Sequence, residues 1–197
     1  MTFRISEYSK IEITQVVDVR TTAKNKYNRA RIEGPNRAFW QIDITTPPLP
    51  YAEAMGVAAY LDSLKGSLEI IEVPNPLPEL ATRTGLTTLA IDAKESKTVQ
   101  INGFSNNQSG AVVAGDFVQH STSQKVHRIV NTANAGATGN LTATVTPELY
   151  ADTAAAGAFK YGNAVSFQCC LDEYYSMEVL ASKGKFVVFN IRLLEQG

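Results

Sequence analysis

The sequence predicts a mostly β protein with one helix, in which a sheet domain is interrupted by a small barrel. Three observations predict it. Apolar and polar residues alternate near both ends of the chain, which is the period-two pattern of strands. A single stretch, 51–65, carries a helical stripe. Between them, short strand-like runs are separated by Gly, Asn and Ser turns. At 197 residues the chain can bury a substantial core, and 19% charged residues argue against disorder.

Residues Ile11 to Arg20 form the first expected strand, with Ile11, Ile13, Val17 and Val19 on one face. A loop is expected from Thr21 to Arg37. Ala38 to Thr45 alternates again and puts Trp40, Ile42 and Ile44 on one apolar face. Pro47, Pro48 and Pro50 stop that strand. The helix follows over Tyr51 to Lys65, where Ala54, Val57, Ala58, Leu61 and Leu64 make one stripe and Gly66 stands as its C-terminal cap. Ser67 to Val73 is the next strand, and Pro74, Pro76 and Pro78 mark a domain boundary.

Past Leu80 the expected strands are short: 87–92, 98–101, 116–119, 125–131, 140–145 and 165–171. Asn102-Gly103, Gly115-Asp116 and Gly139-Asn140 are turn signals between them, and Ala151 to Gly157 reads as a loop or helical turn. Strands at this spacing predict a small barrel or sandwich. Two further strands, Ser176 to Leu180 and Lys185 to Leu194, have no partner in the barrel. They are expected to return to the first sheet, which makes the barrel an insertion. The domains expected are therefore 1–82 with 173–197, and 83–172.

The chemistry inventory is mostly negative, and no enzymatic activity or cofactor is expected. No glycine-rich phosphate loop and no nucleophile elbow is present. His120 and His127 are read as exposed histidines, and no metal site is expected from them and the distant cysteines. Cys169 and Cys170 are adjacent, a spacing that disfavours a bridge, and one of them is expected in the core. Asp172, Glu173 and Glu178 form the densest acidic group, read as a solvated turn before a strand. No apolar h-region opens the sequence and no apolar run approaches the ~20 residues of a membrane span, so folding in a reducing cytoplasm is expected.

One charge feature stands out on a chain whose net charge is −1. Between residues 20 and 37, Arg20, Lys24, Lys26, Arg29, Arg31 and Arg37 face a lone Glu33, a net of about +5. Tyr27 is the one aromatic residue in that run, so stacking on nucleic acid has little support. A protein neighbour is the preferred partner, and the six basic residues are candidate subunit contacts. A solvated loop is the competing reading.

The stretch Ala114-Gly115-Asp116-Phe117-Val118, then His120-Ser121-Thr122, then 125–131 (KVHRIVN) and 141–149 (LTATVTPEL), resembles the distal tail protein family of long-tailed bacteriophages, in particular its T5-like branch. About sixty residues carry the likeness; the first eighty agree in the order of elements. The resemblance implies a tail-tube-like β domain with one helix, forming a sixfold ring, and an inserted barrel of oligonucleotide/oligosaccharide-binding (OB) type. It implies no catalytic residues. The expected partners are further copies in a hexameric ring, the tail tube protein and tail-tip or baseplate hub proteins, with DNA passing through the channel and no membrane. The expected location is the virion, after synthesis in the host cytoplasm. The alternatives are a carbohydrate- or receptor-binding tail module, or another tube-related tail protein.

Overall fold

The structure is a computed structural model. It describes residues 9–18, 21–24, 30–32, 37–64, 69–77, 80–81, 83–121, 123, 125–180 and 185–196; the side chains of residues 18, 21–24, 30–32, 37 and 173–174 lie outside that description. The chain is mostly β with one helix, arranged as an open sheet and a closed six-stranded antiparallel barrel.

The open sheet is built from both ends of the described chain. Strand β1 (Lys10–Asp18) pairs antiparallel with β4 (Arg37–Thr45). Strand β14 (Phe186–Glu195) pairs with β4 on its other side, then β13 (Ser166–Leu180) with β14, then β6 (Ile71–Pro74) with β13. The two-residue β5 (Leu49–Pro50) adds to β14. The closing strands thus lie in the same sheet as the opening ones. The region expected as a loop contains two short paired strands, β2 (Thr21–Lys24) and β3 (Ala30–Ile32).

Each element follows its sequence pattern. Trp40, Ile42 and Ile44 are buried on the inner face of β4, as the alternation requires. On β14 the same face carries Val187, Phe189, Ile191 and Leu193, all buried. Helix α1 (Tyr51–Ser63) starts at Pro50, whose φ of −54° suits a helix entry, and lays Ala54 and Leu61 on that core. The helix ends at Leu64; Lys65 and Gly66 lie outside the described residues.

The barrel runs β10 (Val126–Ile129), β11 (Asn140–Thr146), β8 (Thr98–Asn102), β7 (Leu86–Thr88), β12 (Ala158–Tyr161), β9 (Phe117–His120) and back to β10. Closure removes its strand edges. Its core includes Val99, Ile101, Val118, Ile129, Ala143, Val145 and Tyr161. Strand β12 is absent from the strands expected of the sequence. Its Phe159 and Tyr161 alternate with Ala158 and Lys160, and this short pattern supplies the closing strand.

Two expected strands are one. Residues 165–171, expected in the barrel, and 176–180, expected in the sheet, meet in the single strand β13, which carries an irregularity between Leu171 and Tyr175. Ser166–Cys169 pair with β6 in the sheet, not with the barrel. Where the chain leaves the sheet and where it returns are tied together: Asn75 N donates to the Val165 carbonyl at 3.0 Å and Asn75 Nδ2 to the Gly162 carbonyl at 3.2 Å.

Candidate functional site

Two features dominate the molecule: a buried junction that fixes the barrel on the sheet, and the open edges of the sheet beside it.

The junction begins with the alternation of β9 and β10. Val118 faces the barrel core, so its neighbours Phe117 and Gln119 face the sheet. Phe117 stands edge-on to Trp40 (5.3 Å between centroids) and to Phe167 (5.3 Å), joining β9 to β4 and β13. The Trp40 indole Nε1 donates to the Val126 carbonyl at 2.8 Å. The Arg128 guanidinium lies 4.9 Å from the Trp40 ring and 4.8 Å from that of Phe117. Gln119 exchanges amide bonds with the Ser166 backbone, donating at 2.6 Å and accepting at 3.3 Å.

Glu195 closes the junction. Its Oε1 accepts from Val126 N at 2.8 Å and its Oε2 from Trp40 N at 3.3 Å, so one carboxylate bridges barrel and sheet. Burial pushes its pKa up to about 7, against the opposing pull of the Val126 N–H, the nearby Lys125 and the Trp40 N–H. Sequence reasoning misses this residue. Its signal is an acid that continues the apolar face Val187-Phe189-Ile191-Leu193 by one more alternate position.

Both histidines correct their expectation: they are buried rather than exposed. His127 lies opposite Val118 and so faces the barrel interior. Its Nδ1 meets the Pro147 carbonyl at 2.8 Å, which requires the proton on that nitrogen. Burial lowers the His127 pKa to about 4 and lowers that of His120. Both cysteines are buried free thiols, each with its pKa raised by burial, where the sequence predicts only one in the core. Among the described residues no group of three potential metal ligands comes together.

The open edges are at β1 and β13. Among the described residues, β1 pairs with β4 alone, and Tyr175–Leu180 of β13 pair with β14 alone. The inner face of β1 carries Ile11, Ile13, Gln15 and Val17; that of β13 carries Tyr175, Met177 and Val179. These edges are apolar yet incompletely covered: Val17 is 46% exposed, Met177 45% and Val179 52%. Tyr175 is held from the helix side by its hydroxyl, which donates to Asp62 at 2.8 Å.

Beside β1 a cleft of about 720 Å³ separates the sheet edge from the barrel. Gln15, Val17 and Ala38 form one wall, and Val145, Pro147, Leu149 and Tyr150 the other. Gln15 reaches across it, its Nε2 donating to Thr146 Oγ1 at 3.2 Å. Lys97 pairs with Glu148 (3.3 Å) at the rim, Lys94 approaches Glu95 (3.9 Å), and Lys125 lies over the Tyr150 ring.

Of the six basic residues expected as contacts, Arg20, Lys26 and Arg29 lie outside the described residues. Lys24, Arg31 and Arg37 stand in β2, β3 and β4. Arg37 is in register with Asp18 at the end of β1, so this basic segment begins where the cleft's β1 wall ends. In the acidic group, Asp172 lies 3.9 Å from Arg192, which also holds Asp43 at 2.8 Å, and Glu178 is exposed. No protein-family model matches the sequence and no curated protein matches it, so the role of these surfaces is read from their own geometry.

Proposed function

We propose that the chain is a structural, non-enzymatic subunit of a bacteriophage tail, forming a ring at its distal end that joins the tail tube to the tip or baseplate. The observation that carries the reading is the pair of open edges. From β1 through β4 and β14 to β13 the strands alternate in direction. An even number of alternating strands lets a second copy, placed head to tail, bring its β13 antiparallel to β1 and continue the sheet. Such a heterologous contact repeats, and it closes into a ring when the rotation per copy divides a full turn. The closed barrel offers no edge for this, and the junction holds it to one side.

The likeness of 114–149 to distal tail proteins supports the same reading and gives six as the expected number. Its Gly115-Asp116 pair stands at a turn that the fold uses: Gly115 has φ +100°, and Asp116 Oδ1 accepts from Leu80 N at 2.8 Å where the chain enters the barrel. Sedimentation and electron microscopy of the purified chain test the proposal. A six-membered ring with a central channel is the expected result. A monomer at all concentrations, or a twofold dimer that does not extend, overturns it, and a glycan-binding monomer would transfer support to a receptor-binding module.

A further inference from the structure

Resting on the head-to-tail reading, we propose that the cleft beside β1 is the seat for residues 175–180 of a second copy, added antiparallel to β1 with Met177 and Val179 in the cleft. Three features converge on this occupant. The cleft lies on the inner face of the sheet at Gln15 and Val17, and Met177 and Val179 occupy the inner face of the other edge. A continued sheet therefore sets apolar residues of matched period on one side, as directly facing residues share a face. The cleft's apolar lining, Val17, Val145, Pro147 and Leu149, then receives the two side chains that the isolated chain leaves half exposed.

The direction of the added strand also pairs the two charge features. Antiparallel addition sets the end of β1, where Arg37 stands and the basic β2–β3 pair with Lys24 and Arg31 begins, next to the segment that precedes Tyr175. That segment carries Asp172 and Glu173. Opposite charges thus meet at one end of the contact, and a wrong-way parallel addition would separate them.

Engineered cysteines in the full chain test this. Facing residues of an antiparallel pair lie about 4.5–5.5 Å apart at Cα, within disulfide reach. Val17→Cys is combined in one chain with Met177→Cys or with Val179→Cys, which covers two registers. The native thiols are buried and are not expected to compete. Under oxidation one double variant should give a ladder of linked copies ending at a closed ring, and each single variant should stay unlinked. Val179→Lys and Val17→Lys, which place a charge in the contact, should each weaken assembly at least about tenfold while leaving the melting temperature of the dissociated chain unchanged. If the wild-type chain assembles but no double variant links and both lysine variants assemble normally, the cleft assignment fails and the ring reading stands. If Val17→Cys links to itself, the contact is twofold and the assignment fails. A wild-type chain that stays monomeric removes the ring reading and the cleft assignment together.

Discussion

Glu195 accepts hydrogen bonds from the backbone N–H groups of Val126 and Trp40, at 2.8 and 3.3 Å, and so holds a barrel strand and a sheet strand with one carboxylate. Both donors are buried, so whatever replaces Glu195 must satisfy them or leave them orphaned. Glu195→Ala leaves both unpaired and should cost several kcal/mol, taking about 1–3 kcal/mol for each unsatisfied group. Glu195→Gln keeps acceptor capacity and should cost much less. Urea unfolding of the two variants at pH 7 measures the difference.

The same residue predicts how stability changes with pH. Its folded pKa of about 7 lies above the ordinary carboxylate value of 4.5. Its contribution is therefore fully present below about pH 4.5 and is lost as pH rises to about 7, on the order of 3 kcal/mol in all. His127 acts in the opposite sense. Its pKa falls from 6.5 to about 4, so its contribution is present above pH 6.5 and is lost as pH drops toward 4. Glu195→Gln should flatten the fall in stability between pH 4.5 and 7, and His127→Gln the fall between pH 6.5 and 4. Melting temperatures measured across pH 4–8 for the three proteins check both signs; a wild-type profile unchanged by either substitution would refute both assignments.

Trp40 is the chain's one tryptophan and stands in the junction, so its fluorescence reports on the contact between barrel and sheet. Trp40→Phe removes the indole N–H that satisfies the Val126 carbonyl and reduces the surface beneath Arg128. A loss of about 1–3 kcal/mol is expected. In the wild-type protein the emission should shift to the red in a single transition that coincides with loss of β circular dichroism. Separate transitions would mean that the junction opens before the sheet unfolds.

Two glycines should respond oppositely to alanine. Gly139 has φ +73°, and a Cβ there would stand 2.2 Å from the Phe104 carbonyl oxygen in the turn before β11. Gly139→Ala should destabilise by more than about 2 kcal/mol, as backbone strain and collision add. Gly56 lies on the exposed side of α1, and a methyl group there would meet nothing within 4 Å. Gly56→Ala should therefore stabilise by about 0.5–1 kcal/mol. Thermal unfolding of both variants separates the effects.

What the sequence by itself determined is the set of local patterns and the class they add up to. Trp40, Ile42 and Ile44 were legible as a buried face because alternation fixes which side of a strand is apolar. The stripe through Ala54 and Leu61 was legible because a helix places residues three and four apart on one face. The tertiary structure alone decided which strand lies beside which. Residues 166–171 read as a barrel strand, yet they pair with β6 and β14, since hydrogen bonding across a sheet leaves no mark in the local pattern. The two histidines looked like surface residues, and enclosure within the barrel buried them. Glu195 lies 69 residues from Val126, and its role as a clasp arises when the returning strand β14 brings its last inward position under the barrel.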